Sequence, residues 1–155
     1  MKRGCLFIIT GVFLLSACNT STEIEVQGYW MRSGLKGGNS AMYMIMHNYS
    51  EVNDELIGAS SDVAQAVEIH ESKLGDDGIM QMIPQEAVSL AADEKVEFKP
   101  GGLHVMFVGL KQDLNVGDEI MVVLHFKNHT DISVTVPVKD ASEMGGSGMD
   151  GRNMP

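Results

Sequence analysis

The sequence predicts an all-β fold, an antiparallel β-sandwich or barrel, and three observations carry that prediction. Short apolar runs alternate with a period of two, turn-forming residues separate them at regular intervals, and no segment sustains a 3.6-residue period. Alternation runs over Ile24 to Val26, Ala41 to His47 and Ala66 to Glu71. Further strand-like runs are Ile79 to Ile83, Val96 to Lys99, His104 to Val108, Glu119 to Phe126 and Ile132 to Val138. The breaks carry turn chemistry: Gly37 to Ser40, Gly75 to Gly78, Pro100 to Gly102, Asn115 to Asp118 and Lys127 to His129. Short strands so punctuated suit a sandwich of antiparallel sheets.

The first residues decide which part of the chain folds. Lys2 and Arg3 precede an apolar stretch from Cys5 to Leu15, too short for the roughly 20 residues that span a bilayer. It reads as a secretory signal segment over 1–17, ending in Leu15-Ser16-Ala17-Cys18, a bacterial lipobox with Cys18 as the lipidated residue. Residues 18–23 then form a tether and 24–140 one domain, long enough to bury a core. The expected location is extracytoplasmic, on a bacterial membrane through the acyl chains at Cys18. Without the signal segment, 9 basic residues face 21 acidic ones, a charge of −12 that argues against nucleic acid as a partner. With Cys5 discarded and Cys18 lipidated, the mature fold keeps no thiol, so a soft-metal site must use methionine and histidine.

The tail, residues 141–155, differs from the domain. It has four glycines, no β-branched residue, and Met144, Met149 and Met154 at intervals of five, which predicts a flexible segment without a core of its own. Those methionines offer at most a weak metal site.

One constellation carries chemistry. Side chains alternate across a strand, so Glu68 and His70 share the polar face of their run while Val67 and Ile69 share the apolar one. His104 and Met106 project together, opposite Leu103, Val105 and Phe107, and start about 7 Å apart at a rise of roughly 3.3 Å per residue. Met80 and Met82 fall on one face of the Ile79–Ile83 run. The turn before His104 places the His104–Met106 pair near an exposed end of the sandwich. Imidazole with thioether is a soft donor set that favours Cu(I) over Zn(II), and none of His70, Met82, His104 and Met106 is a carboxylate that would favour a hard cation. A blue-copper carrier needs a thiolate in its His₂Cys set, which the mature chain lacks. No activated nucleophile or paired-carboxylate motif indicates an enzyme. By contrast, Met42, Met44 and Met46 form a stripe at strand spacing that reads as core, and His125 and His129 read as surface residues.

The order His70, eleven residues, Met82, twenty-one residues, His104, one residue, Met106 resembles the PCuAC family of periplasmic copper chaperones, whose pattern is His-x10-Met-x21-His-x-Met. Tyr29 to Arg32, Asn39 to Tyr43, Val67 to Glu71 and Phe98 to Met106 through Lys111 are similar to that family's strands, and the similarity runs from Val26 to Val138. The resemblance implies a cupredoxin-like, Ig-like β-sandwich with Cu(I) held by His70, Met82, His104 and Met106. It also implies copper delivery to the cytochrome c oxidase subunit carrying CuA, alongside a Sco-type thiol protein. The first gap is one residue longer than the family's, an insertion assigned to the turn Gly75 to Gly78, and this leaves Met80 as a rival to Met82. Two other functions remain open at this level: a copper-scavenging lipoprotein without a dedicated acceptor, and a β-sandwich adhesion or assembly module with incidental His and Met.

Overall fold

The structure is a computed structural model that describes residues 24–76 and 78–140. The expected signal segment, Cys18 and the tail methionines Met144, Met149 and Met154 lie outside the described residues. Ten strands follow one another: β1 (Ile24–Arg32), β2 (Ser40–Asn48), β3 (Asp54–Ser60), β4 (Ala64–Leu74), β5 (Met80–Pro84), β6 (Val88–Leu90), β7 (Lys95–Phe98), β8 (Leu103–Leu110), β9 (Glu119–Phe126) and β10 (Ile132–Lys139). The hydrogen-bonded order is β5-β4-β8-β2-β1-β10-β9-β3-β6, with β7 also on β2.

That path folds over into two layers around one core. Met42, Met44, Met46, Ile69, Val105 and Phe107 from β2, β4 and β8 join Leu56, Leu90, Val122, Leu124, Val134 and Val136 from β3, β6, β9 and β10 in a single buried cluster. The methionine stripe is therefore core, because each of its side chains faces the second layer. Every strand pairing is antiparallel except that of β1 with β10, which is parallel through Met31↔Val138 and Arg32↔Lys139. The expected all-β sandwich is present, and its first and last strands run the same way where they pair.

Two local features position the site. β2 divides one edge between two neighbours, Ser40 to Met42 against β8 and Met44 to His47 against β7. The turn from Lys99 to Gly102, closed by Gly102 N–H donating to the Lys99 carbonyl at 3.0 Å, carries the chain from one to the other. β8 then continues alongside β4 and brings residues 104 and 106 next to 70 and 68. The second feature is a bulge in β1 between Gln27 and Trp30, where Gly28 takes φ = 61°, a left-handed conformation that glycine adopts without steric cost. The extra residue reverses the facing of the strand. Trp30 leaves the core side and stacks with Tyr43 at 4.7 Å on the outer face, forming a small buried cluster with Ala41.

Candidate metal centre

The outer face of β4 and β8 gathers the donors that the sequence singled out. His70 and His104 are paired in register, as are Glu68 and Met106. The imidazole centroids are 5.9 Å apart with ring planes at 68°. Across the other edge of β4, Met82 is paired with Ser72 and Met80 with Leu74, so Met80 stands one strand repeat, roughly 7 Å, further along. A cavity of about 320 Å³ is lined by Met82, His104, Met106, Tyr43, Ser72 and Arg32 among others, with the turn residues Pro100 and Gly101 at its wall. Neither Met80 nor His70 lines it, His70 standing behind His104 on β4.

Hydrogen bonding fixes what each imidazole presents. His104 Nδ1 lies 3.0 Å from the Gly102 carbonyl oxygen. A carbonyl only accepts, so Nδ1 carries the proton and Nε2 keeps its lone pair. His70 is held the other way round. Its Nε2 lies 2.8 Å from Glu68 Oε2, and its Nδ1 is buried without a hydrogen-bond partner. A carboxylate at Nε2 takes the N–H there and leaves a lone pair on Nδ1. A buried nitrogen lone pair with nothing to bond is costly unless something fills it, and a soft monovalent cation suits it.

Burial is graded across the set. His104 is only 4% exposed, with the ring centroid of Tyr43 6.5 Å away. Met106 and His70 are partly buried, and Met82 is 60% exposed. The expected exposed end of the sandwich is thus exposed at β5, while His104 is buried. Sequence reasoning missed Glu68 as the partner of His70, although their i, i+2 spacing on one face was legible. It also missed the Trp30–Tyr43 pair, which only the bulge brings to this face. Among the described residues no group of three or more His, Cys, Asp or Glu is placed to hold a metal ion. No helix among them is long and apolar enough to cross a membrane.

Comparison with known proteins agrees with this architecture. The chain is 35% identical over 116 residues to protein RP573 of Rickettsia prowazekii, a match covering 74% of this chain and 60% of that protein. It is 28% identical over 119 residues to "Putative lipoprotein Lxx21020" of Leifsonia xyli subsp. xyli, covering 77% and 71% respectively. Among solved structures, the copper-bound PCuAC domain from PmoF2 superposes with a TM-score of 0.64 at 24% identity, covering 76% of this chain and 92% of that domain. The solution structure of CuI-DR1885 from Deinococcus radiodurans gives 0.57 at 23% identity, covering 81% and 86%. The fold is therefore the cupredoxin-like β fold of the PCuAC domains. Residues 24–138 match the family described as "Putative lipoprotein LpqE-like", and the chain belongs to that LpqE-like family.

Proposed function

We propose that this protein is an extracytoplasmic, lipid-anchored Cu(I) metallochaperone that binds one ion through His70, Met82, His104 and Met106, and is not an enzyme. The observation that carries this reading is the buried, unpartnered Nδ1 of His70 beside His104, on the face that also bears Met106 and Met82. All four donors are neutral when they coordinate, and two are thioethers, a set that favours Cu(I) over harder cations. The copper named in the titles of the PmoF2 and DR1885 structures supports the same metal, and the lipoprotein family supports an anchor at Cys18.

The graded burial suggests how copper would leave. His104 is buried and hydrogen-bonded, so it stays in place, whereas Met82 sits on an exposed strand. A thiolate or thioether of an acceptor can replace Met82 first, with the imidazoles holding the ion until the exchange is complete. We infer that the acceptor is the CuA-bearing subunit of cytochrome c oxidase, directly or through a Sco-type thiol protein.

Cu(I) competition titration against a chromophoric chelator tests the site: His104→Ala should lose the tight site, and unchanged affinity would remove the proposed centre. CuA loading in a deletion strain tests the acceptor. Normal loading combined with copper sensitivity would mean that the protein buffers copper rather than delivering it.

A further inference from the structure

β5 is the last strand of its layer, paired with β4 on one side only among the described residues. Which of its backbone groups face outward follows from two hydrogen bonds that flank it. Gly75 N–H donates to the Ile79 carbonyl and Gln85 N–H to the Ile69 carbonyl, both in register with the β4–β5 ladder. Backbone groups alternate sides along a strand, so residues 81 and 83 face β4, while the N–H and C=O of Met80 and Met82 face outward. The side chains of this edge are apolar and exposed: Ile79 62%, Met80 54%, Met82 60%. Met80 to Ile83 carries no charge. Natural edge strands are usually guarded by lysine, proline or inward-pointing charge, and here only Pro84 at the end serves that purpose.

The sequence of this edge reads the same in both directions: Ile79-Met80-Gln81-Met82-Ile83. An isologous two-fold contact requires self-complementarity of that kind. We propose that two copies of this chain pair antiparallel through β5, with the two-fold axis at Gln81. Gln81 then lies opposite Gln81 of the partner, and Met80 opposite Met82 of the partner. The outward backbone groups of Met80 and Met82 are ones this register bonds, and residues directly opposite exchange both N–H···O bonds. All four methionines emerge on one face, the face of His70 and Ser72, because paired residues share a face. The partner's Met80 therefore stands beside Met82 and brings a fifth soft donor to the copper site. The lack of charge on the strand spares the contact the repulsion that the chain's net charge of −10 would otherwise impose. One short strand buries far less than the roughly 1,200 Å² of a stable complex, so the association is weak and readily reversed, as a transfer protein requires.

The metal half of this inference rests on the Cu(I) site above, and the strand pairing does not, so the two are tested separately. The pairing is tested on metal-free full-length protein with Cys5 and Cys18 replaced by serine, by sedimentation at concentrations up to about 1 mM, which reaches dissociation constants of that order. Gln81→Lys and Gln81→Glu each place like charges directly opposite across the axis and should each be monomeric, whereas an equimolar mixture should dimerise again. In the same background Gln81→Cys should form an inter-chain disulfide faster than Met121→Cys, another exposed position on the other layer. Failure of the mixture to dimerise, or equal cross-linking at both positions, overturns the pairing. The metal half predicts that Cu(I) affinity rises about fivefold between dilute and concentrated wild-type protein, at the low end of ordinary site coupling, and that it does not rise in Gln81→Lys. A dimer whose Cu(I) affinity is independent of concentration overturns the fifth donor. Loss of Cu(I) binding by every form would overturn the copper site and leave the strand pairing standing.

Discussion

At the scale of single residues, the two histidines of the proposed site are oriented by different partners, and this makes them separable. The ring of His104 is oriented by a backbone carbonyl that no substitution removes, whereas that of His70 is oriented by the Glu68 carboxylate. Glu68→Ala should weaken Cu(I) binding about tenfold, the usual cost of losing such a partner. Glu68→Gln, whose amide oxygen still accepts from Nε2–H, should retain most of the affinity, and chelator competition measures both. In dilute protein Met82→Leu should weaken binding far more than Met80→Leu, since Met82 lines the cavity and Met80 is paired one repeat away; the reverse order would place the extra turn residue elsewhere. Asp54 is a different case, with a structural role. Burial alone would raise its carboxyl, but N–H donors from Glu55 at 2.7 Å, Asn128 at 3.0 Å and His129 at 2.8 Å hold it below the ordinary carboxylate range. A depressed folded-state value means stability that is fully present above the unfolded-state value near about 3.9 and lost as pH falls through the folded one. Asp54→Ala should therefore cost about 2 kcal/mol at neutral pH, and the gap from wild type in denaturant titrations should shrink as the pH falls below 4.

At the scale of elements, what matters is where the alternation of a strand is kept and where it is broken. β8 keeps it, with Val105 and Phe107 fully buried and His104 and Met106 on the other face. Phe107→Ala should cost about 3–5 kcal/mol in chemical denaturation, the range for emptying an aromatic core position. β1 breaks it at Gly28. A Cβ there would meet only Ile45 Cδ1 at 3.9 Å, so space is available and the cost of Gly28→Ala lies in the backbone, about 1–2 kcal/mol for a left-handed alanine. If the bulge instead straightens, Trp30 returns to the core side, and loss of the near-ultraviolet circular dichroism of the Trp30–Tyr43 pair would report it. β3 also breaks its pattern, with a register shift between Leu56 and Gly58 opposite β9 and an exposed Ile57. That strand has no readable alternation, and the three-residue β6 is too short to show any, which is why neither was evident in the sequence.

At the scale of the whole molecule, the proposed four-donor set lies entirely within the described domain. Removing residues 141–155 should leave a single tight Cu(I) per chain, measured by metal analysis after loading and desalting. Loss of that ion with the tail would show that Met144, Met149 or Met154 provides a ligand. The layout also divides labour between the layers. The site lies on the outer face of β4 and β8, while the second layer of β10, β9, β3 and β6 closes the core beneath them. Substitutions in the second layer should therefore change stability with little direct effect on metal affinity.

The sequence by itself determined the period-two strands, the inward methionines of β2, and the common face of His104 and Met106. All of these follow from alternation, which is a local property of an extended chain. The soft donor set was likewise a matter of composition. Tertiary structure alone decided that His70 stands beside His104, because two strands so far apart in the chain meet only through a register that the whole sheet fixes. It also decided that His104 is buried and that Trp30 joins Tyr43 near it, because one extra residue at Gly28 turns the strand over. The parallel closure of β1 on β10 was not legible for the same reason: side-chain alternation says which face a residue is on, but not which strand will lie next to it.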